Sequence, residues 1–265
     1  MGLKERFRPV LDLFFPPKCV YCGRLGDYLC RPCRDEAQPI GREVCIRCGN
    51  PMTVRSVCHL CRRDPPDPLR GIRGVFFYKG PISQSIRSLK YHGVQELATI
   101  LGMFLVDYLR EHPIPIDMLI PVPLHAQRLA ARGFNQSELL AQTITRTLGI
   151  PTRNDILRRV RATQSQTHLN RVQRQQNVAG AFEPYPGVDL RGRSVLLIDD
   201  VATTGATLRA CAQPLARAGA AEIWALTVAR AHIHTVPGAG RASAPPADVF
   251  LLWDGERKRS AGMVI

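Results

Sequence analysis

The chain has 265 residues, of which 45% are hydrophobic, and a formal net charge of +14 from 36 basic and 22 acidic residues. This length suits one ordinary domain with a small additional module. The apolar content excludes disorder over the whole chain, and no stretch reaches the roughly 18 uncharged apolar residues of a transmembrane helix. A secretory signal is not expected, because the apolar run 10–15 contains Asp12. We therefore expect a cytoplasmic protein.

Positive charge is unevenly distributed along the chain. Residues 151–188 contain six arginines and two acidic residues, which is the densest positive charge in the sequence. Arginine makes forked contacts to phosphate oxygens. A basic stretch of this kind attracts nucleic acids or other phosphate ligands.

The first 18 residues have the spacing of a short amphipathic helix. Their apolar side chains, at Leu3, Phe7, Val10, Leu11 and Phe14, recur mostly at intervals of three and four residues. We expect this segment, residues 1–18, to pack on the rest of the protein, with contact to a membrane surface as the alternative.

Eight of the nine cysteines form four CxxC pairs, and these pairs are predicted to bind metal. They are Cys19 and Cys22, Cys30 and Cys33, Cys45 and Cys48, and Cys58 and Cys61. Four thiolates complete a closed structural zinc site, so the spacing predicts two zinc ribbons in series over residues 19–66, with two zinc ions. An interleaved pairing, the first pair with the third, stays open. A redox or iron–sulfur role is the alternative to zinc.

Metal binding would also account for the stability of this module. A stretch of about 45 residues with few apolar side chains cannot build its own core and needs a metal to hold it. Eight thiolates and two zinc ions would reduce the net charge of the chain from +14 to about +10, with the whole reduction in residues 1–70. The positive field then belongs to the rest of the chain, and the ribbons suit protein docking better than DNA binding.

Residues 71–230 alternate between strand and helix patterns. Strands are predicted at 72–78, 118–122, 195–198 and 223–229, and helices at 97–108, 137–148 and 207–218. Such alternation with apolar strands is typical of a parallel α/β sheet, so we predict one α/β domain over residues 71–230. Cys211 lies on a helical pattern and is predicted to be buried. Residues 231–265, rich in Ala, Gly and Pro up to 249, are predicted to form a flexible tail.

The run VLLIDDVATTGAT at residues 195–207 is the most informative part of the chain. Its apolar strand leads to Asp199 and Asp200, at the sheet edge where ligands bind in open α/β folds. The loop that follows has small and hydroxyl residues and opens a helix, so its N–H groups suit a phosphate. These loop residues are Ala202, Thr203, Thr204, Gly205, Ala206 and Thr207. The carboxylates can accept hydrogen bonds from sugar hydroxyls, and the run therefore predicts a sugar phosphate ligand.

A Walker B strand has the same apolar and acidic pattern. It requires a GxxxxGK[ST] loop elsewhere, and no lysine of this chain follows a glycine. A nucleoside triphosphate site of that type is therefore not expected.

The run 195–207 resembles the signature of type I phosphoribosyltransferases, and the chain as a whole resembles the ComF family. Members of this family join a double zinc ribbon to a phosphoribosyltransferase-like domain. The resemblance extends from about residue 11 to residue 230. It rests on the CxxC pairs and on YKGPISQSIRSLKYHG, PVPLHAQRLAARGFNQSELLA, QSQTHLNRVQRQQNVAGAF and LLIDDVATTGATL. It implies a parallel-sheet type I phosphoribosyltransferase-like domain behind the ribbons, and it does not extend to the tail.

The resemblance also implies a role for each matching segment. Asp199 and Asp200 would be the catalytic doublet that holds the ribose 2′ and 3′ hydroxyls of phosphoribosyl pyrophosphate, and residues 202–207 would bind its 5′-phosphate. Candidate contacts to the pyrophosphate are Arg128, Arg132 and Lys90, with magnesium bridging pyrophosphate and ribose oxygens. The stretch 158–180 would be a mobile loop that closes over the site. Its candidate residues are Gln164, Gln166, Arg171, Arg174 and Asn177.

Two functions are consistent with these expectations. In the first, the chain binds phosphoribosyl pyrophosphate with magnesium and assists DNA uptake during natural transformation. The partners that the resemblance implies are single-stranded DNA, competence helicases and recombination-mediator proteins. In the second, the chain is a salvage phosphoribosyltransferase that transfers ribose 5-phosphate to a nitrogenous base without a DNA role. Aromatic residues make up only 6% of the chain, which favours electrostatic contact with a strand over base recognition.

Overall fold

The computed structural model describes residues 16–163 and 171–231, without the side chains of residues 171 and 172. The predicted amphipathic segment 1–18 lies outside this range except for its last three residues. Gln164 and Gln166 of the predicted mobile loop also lie outside the described residues, and so does the predicted tail after residue 231.

A parallel sheet forms the centre of the fold. Its strands are β1 (Leu69–Phe77), β2 (Met118–Pro121), β5 (Ser194–Ala202) and β6 (Glu222–Arg230). They lie in the order β1-β6-β5-β2, and all three pairings are parallel. A separate antiparallel pair is made by β3 (Leu157–Arg159) and β4 (Phe182–Pro184). The predicted fold class, a parallel α/β sheet, is confirmed.

The described helices are α1 (Arg31–Asp35), α2 (His59–Arg63), α3 (Gly80–Tyr91), α4 (Glu96–Glu111), α5 (Ala126–Arg132), α6 (Gln136–Leu148), α7 (Arg171–Val178) and α8 (Ala206–Arg217). The three predicted helices correspond to α4, α6 and α8, whereas α3, α5 and α7 were not predicted. Within the part of the chain that the structure describes, no helix combines the length and apolar character needed to cross a bilayer.

Buried side chains cover both faces of the sheet. Along β5, Leu196 and Ile198 pack in a cluster with residues of α3, α4 and α6. The alternate residues Val195 and Leu197 pack in a second cluster with α8, which includes the fully buried Cys211. Coverage of both faces explains why the strands read as apolar runs.

The cysteine module, residues 19–66, is joined to the free edge of β1 by backbone hydrogen bonds. Ile40 N donates to Val75 O at 2.8 Å, and Phe77 N donates to Gln38 O at 3.0 Å. Further along the strand, Ile72 N donates to Arg47 O at 2.9 Å. Because an uncovered edge strand would leave these groups unpaired, the module completes the sheet on this side.

Candidate functional site

Each half of the cysteine module gathers four thiols into one cluster. The Sγ atoms of Cys19, Cys22, Cys30 and Cys33 lie within 4.8 Å of one another, and so do those of Cys45, Cys48, Cys58 and Cys61. This confirms two sites in series, and the interleaved pairing is wrong. The Sγ atoms are 3.6 Å apart between Cys22 and Cys30 and 3.8 Å apart between Cys48 and Cys58. A tetrahedron with Zn–S bonds of 2.3 Å has edges of about 3.8 Å. Both clusters therefore fit a structural zinc ion.

In each cluster the first cysteine ionises most readily, and the thiolate is the form that binds zinc. Burial and the neighbouring thiols raise the pKa of Cys33, and the thiols of Cys45 and Cys48 raise that of Cys61. Burial opposes ionisation of Cys19, but hydrogen bonds from the backbone of Cys22, Cys30 and Tyr21 lower its pKa to about 6. In the second cluster, the side chains of Cys48 and Cys61 hold the pKa of Cys45 well below its usual range.

Native mass spectrometry of the purified full chain is expected to show two zinc ions per chain. A strong chelator should remove both ions and lower the melting temperature, because a module of this size depends on metal for its fold. Iron in place of zinc would overturn this prediction. So would a metal-free chain that has lost two hydrogens for each CxxC pair.

A buried arginine lies beside the second cluster. Arg230 ends β6 with 1% of its surface exposed, and its three guanidinium nitrogens have no hydrogen-bond partner among the described residues. Burial lowers the pKa of Arg230, while the neighbouring Cys48, Cys61 and Cys45 oppose this shift. A zinc ion with four thiolates carries a formal charge of −2. The guanidinium therefore supplies positive charge next to the dianionic site, a contact that the sequence analysis missed.

The acidic doublet, Asp199 and Asp200, is almost fully buried inside β5, with 9% and 2% of the residues exposed. Ser137 Oγ donates a hydrogen bond of 2.9 Å to Asp199 Oδ1, and Asp200 N donates to the same oxygen at 2.9 Å. Lys90 Nζ lies 2.6 Å from Asp200 Oδ2 and forms an ion pair with it. The doublet was predicted to follow the strand, but β5 continues to Ala202 and includes it.

Two helices bring these partners to the doublet. Ser137 lies in the first turn of α6, where the side chain of Asn135 caps the helix by accepting from Ser137 N at 3.1 Å. Lys90 lies in the last turn of α3. Each carboxylate thus has one polar partner from a different helix, as buried charged groups require.

Burial and repulsion from its neighbour govern the ionisation of Asp199. Burial raises the pKa of Asp199, the charge of Asp200 raises it further, and despite Lys90 and Ser137 it reaches about 7. For Lys90, burial favours the neutral amine, but the charges of Asp200 and Asp199 outweigh it and raise the pKa. Lys90 is therefore a cation and Asp199 titrates near neutrality.

The predicted phosphate loop joins β5 to α8. Gly205 caps the helix in the left-handed conformation with φ 78°, and a Cβ at this position would lie 2.5 Å from Ile72 Cδ1. Thr204 Oγ1 accepts from Ala206 N at 3.3 Å. The loop therefore directs the N-terminus of α8 toward the same sheet edge as the doublet.

An ion-pair chain joins this loop to the second cysteine cluster. Arg209 Nη1 donates to Thr204 O at 2.9 Å, and Arg209 Nε donates to Asp67 Oδ2 at 2.9 Å. The same oxygen lies 3.4 Å from Nη2 of Arg47, one of the two residues between Cys45 and Cys48. The loop carbonyl is thus held through Asp67 by the ribbon, which the sequence alone did not indicate.

Two of the three candidate pyrophosphate residues lie on α5, and they have different partners. Arg128 Nη2 donates to Thr163 O at 3.0 Å, and Arg132 donates to Gln136 Oε1. Lys90, assigned to the same role from the sequence, is paired with Asp200 instead. Its role toward a pyrophosphate stays a prediction.

The candidate mobile-loop residues Arg171, Arg174 and Asn177 lie on α7, which packs against α8. Asn177 O accepts from Arg161 Nη2 at 3.1 Å. The sequence analysis did not single out Arg159 of β3. Burial and the charge of Arg128 lower the pKa of Arg159 while Asp199 opposes them, so this guanidinium lies within electrostatic reach of the doublet. The sequence feature that could have indicated Arg159 is its position in the basic stretch 151–188.

Two family models match separate parts of the chain. Residues 10–62 match a double zinc ribbon domain, and residues 135–240 match a phosphoribosyl transferase domain. Among solved structures, adenine phosphoribosyl transferase from Trypanosoma brucei is 14% identical with a TM-score of 0.35, over 68% of this chain and 80% of that chain. Purine phosphoribosyltransferase from Pyrococcus horikoshii is 18% identical with a TM-score of 0.29, over 54% and 92%.

Relatives along most of the chain carry names that refer to DNA utilization or to competence. DNA utilization protein YhgH of Escherichia coli is 34% identical over 81% of this chain and 98% of its own length. Competence protein F of Haemophilus influenzae is 32% identical over 82% and 99%. Competence protein ComFC of Bacillus subtilis is 29% identical over 80% and 88%. With a double zinc ribbon ahead of a phosphoribosyltransferase domain, the chain belongs to the ComF family.

Proposed function

We propose that this chain binds phosphoribosyl pyrophosphate with magnesium at the sheet edge that carries Asp199 and Asp200, called the doublet edge below. We also propose that it acts in DNA uptake. The observation that carries the first part is the buried doublet, which precedes a hydroxyl-rich loop at a helix N-terminus. Two carboxylates and a phosphate loop a few residues apart suit a ligand with a diol and a phosphate. The second part rests on the names of the relatives, DNA utilization and competence proteins. Reduced zinc-bound thiols suit the cytoplasm, where we place it.

In this proposal three sets of residues contact different parts of the ligand. Asp199 and Asp200 accept hydrogen bonds from the ribose hydroxyls, and residues 202–207 donate to the 5′-phosphate. Magnesium, when bound with the ligand, would neutralise part of the charge of the pyrophosphate. Arg128 and Arg132 face the pyrophosphate, and the stretch 158–180 closes over it.

The same contacts suit phosphoribosyl transfer to a nitrogenous acceptor. The bond between the ribose anomeric carbon and the pyrophosphate oxygen breaks, and the pyrophosphate leaves with the electron pair. A nitrogen of the acceptor forms the new bond and gives up its proton to solvent. Arginines beside the departing pyrophosphate would stabilise the charge that develops in the transition state.

Isothermal titration calorimetry of the full zinc-loaded chain tests the binding proposal. Phosphoribosyl pyrophosphate should bind in the presence of magnesium, and omission of magnesium from the buffer should weaken binding at least about tenfold, since the divalent ion neutralises the pyrophosphate. Ribose 5-phosphate should bind more weakly, since it lacks the pyrophosphate. No heat with the intact ligand and magnesium would overturn the proposal.

Binding is expected to strengthen as the pH rises through about 7, the pKa of Asp199. Below this pH the folded protein holds a proton on Asp199 that must leave before the carboxylate accepts from the diol, so affinity falls up to about tenfold per pH unit. An unfolded aspartate releases this proton near pH 3.9, so the contribution of Asp199 to the free energy of unfolding declines between about pH 4 and pH 7.

Ser137→Ala provides the control for this pH dependence. The serine hydroxyl donates to Asp199 and lowers its pKa, so the variant should move the midpoint of binding to higher pH. The phosphates of the ligand titrate alike in both proteins and cancel in the comparison. Calorimetry from about pH 6 to pH 8 measures both midpoints, and an identical midpoint would contradict the assignment to Asp199.

Single-stranded DNA is the second candidate ligand, favoured by the six arginines of residues 151–188 and by the names of the relatives. If these arginines track a phosphate backbone, affinity for a labelled oligonucleotide should fall at least about tenfold between 50 and 200 mM salt. Fluorescence anisotropy measures this dependence. An affinity that does not change with salt would contradict contact with the backbone. If affinity does fall with salt, competence helicases and recombination mediators are the proteins to test for association with this chain.

A further inference from the structure

A series of neighbouring residues connects the two members of the acidic doublet and includes one exposed aromatic side chain. Its members run from Lys90 through Tyr91, Arg132 and Gln136 to Ser137, and its two ends contact Asp200 and Asp199. Tyr91 directly follows Lys90, and the Arg132 guanidinium lies 5.8 Å from the centre of the Tyr91 ring. Tyr91 thus follows Lys90 in the chain and influences its ionisation, and its ring contacts Arg132, a candidate pyrophosphate residue.

The side chain of Tyr91 is exposed and is not part of the buried core. The residue is 72% exposed, the highest value among the large apolar side chains that the structure describes. It ends α3, and the residues of this helix that build the core are Ile82, Ile86 and Leu89. Aromatic surface left in water forgoes the free energy of burial. A ligand that covers the ring would recover it.

The charge around the ring narrows the chemistry of that ligand. Arg132 lies over the ring, and Lys90 lies next to it in sequence. An aromatic ring with cations around it suits a flat heteroaromatic group that carries phosphate, because bases stack on aromatic and guanidinium planes while the phosphate contacts the cations.

We propose that Tyr91 and Arg132 form a stacking site for a nucleobase of a nucleotide, either free or within a DNA strand. The proposal rests on the proposed function only in taking the doublet edge as the edge where ligands bind. It adds a base contact to a site otherwise built for a sugar and phosphates. It also gives single-stranded DNA a point of attachment other than the basic stretch.

Substitutions of Tyr91 in the full zinc-loaded chain test this site with two probes, deoxyadenosine monophosphate and a single-stranded deoxyadenosine oligomer. Stacking is worth about 1–3 kcal/mol per base, so Tyr91→Ala should weaken binding roughly five- to hundredfold. Tyr91→Phe keeps the ring and should stay within about twofold of the parent. A loss of affinity for the mononucleotide alone would identify a free nucleotide as the ligand. A loss of affinity for the oligomer alone would identify a DNA strand as the ligand.

A matched control is available in Tyr185. This tyrosine is 41% exposed and also has an arginine over its ring, with the Arg158 guanidinium 5.7 Å away. Arg158 precedes Arg159 in β3. Its side chain points to the opposite face of that strand from Arg159, whose pKa is influenced by the charge of Asp199. Tyr185→Ala should therefore leave both affinities within about twofold.

Three outcomes would overturn the stacking site. They are wild-type affinity of Tyr91→Ala for both probes, equal losses in Tyr91→Phe and Tyr91→Ala, and an equal loss for an abasic oligomer of the same length. Calorimetry with magnesium and phosphoribosyl pyrophosphate should give the same affinity in Tyr91→Ala and in the parent. A lower affinity for this ligand in Tyr91→Ala would contradict a contact confined to the base, because Tyr91 would then act on the pyrophosphate through Arg132. No binding of the ligand by the parent would overturn the proposed function alone, so the two proposals are tested separately.

Discussion

Replacing both members of the doublet, in Asp199→Asn/Asp200→Asn, is expected to abolish magnesium-dependent binding of phosphoribosyl pyrophosphate. Each carboxylate would accept a charge-assisted hydrogen bond worth about 1.5–3 kcal/mol, so the double variant should lose at least about a hundredfold in affinity. The amide side chains have nearly the same shape but can no longer offer negative charge. Calorimetry of the full chain with magnesium measures the loss.

A second double variant controls for the change in net charge. Asp155→Asn/Asp189→Asn removes two carboxylates that are exposed and paired with Arg153 and Arg191. The net charge changes by the same amount, but surface pairs of this kind contribute little. Affinity for the ligand should stay within about twofold of the parent, which would assign the loss to the doublet and not to charge alone.

Loss of the doublet also leaves Lys90 without its partner. Removing one member of a largely buried ion pair destabilises a protein because the remaining charge is uncompensated. Adding Lys90→Met to the double variant removes that charge and should recover part of the melting temperature without recovering binding. Wild-type affinity in Asp199→Asn/Asp200→Asn would show that the ligand does not use the doublet.

The sequence predicted the parts of the site that are local. The strand, the doublet and the phosphate loop are consecutive in residues 195–207, so one run of residue types carries their chemistry. The two cysteine clusters were predicted for the same reason, because each ribbon closes within 17 residues or fewer. In both cases short-range spacing restricts the geometry before any tertiary contact forms.

Partners that are distant in sequence could not be predicted. Ser137 lies 62 residues before Asp199, and nothing in its own neighbourhood distinguishes it from other serines in helices. Asp67 meets Arg209 across 142 residues. These contacts depend on how α6 and the cysteine module pack on the sheet, which residue patterns do not specify.

The contact between the second ribbon and the sheet can be tested with two equivalent glycines. Gly23 and Gly49 each follow a CxxC pair, each donates its N–H to the first cysteine of that pair, at 2.9 and 2.8 Å, and each has positive φ, at 77° and 70°. Their surroundings differ. A Cβ on Gly23 would have no atom within 4 Å, whereas a Cβ on Gly49 would lie 2.3 Å from Ile72 O in β1.

Gly23→Ala should therefore cost only the backbone strain of alanine at positive φ. That strain is about 1–2 kcal/mol, or a fall of about 4 °C in melting temperature. Gly49→Ala adds a clash with backbone that cannot rotate away, so the ribbon must shift from β1. We expect a loss of about 3 kcal/mol or more and a fall of about 10 °C or more. Thermal unfolding followed by circular dichroism compares the two variants, and mass spectrometry should find two zinc ions in both.

The shift of the ribbon should also reach the ligand. Arg47 lies between the cysteines that precede Gly49 and contacts Asp67, which holds Arg209 and through it the carbonyl of Thr204. Gly49→Ala should therefore bind phosphoribosyl pyrophosphate more weakly than Gly23→Ala at a temperature where both are folded. Equal melting temperatures in the two variants would mean that the ribbon does not depend on its contact with β1. Equal affinities would mean that the phosphate loop keeps its conformation without the ribbon.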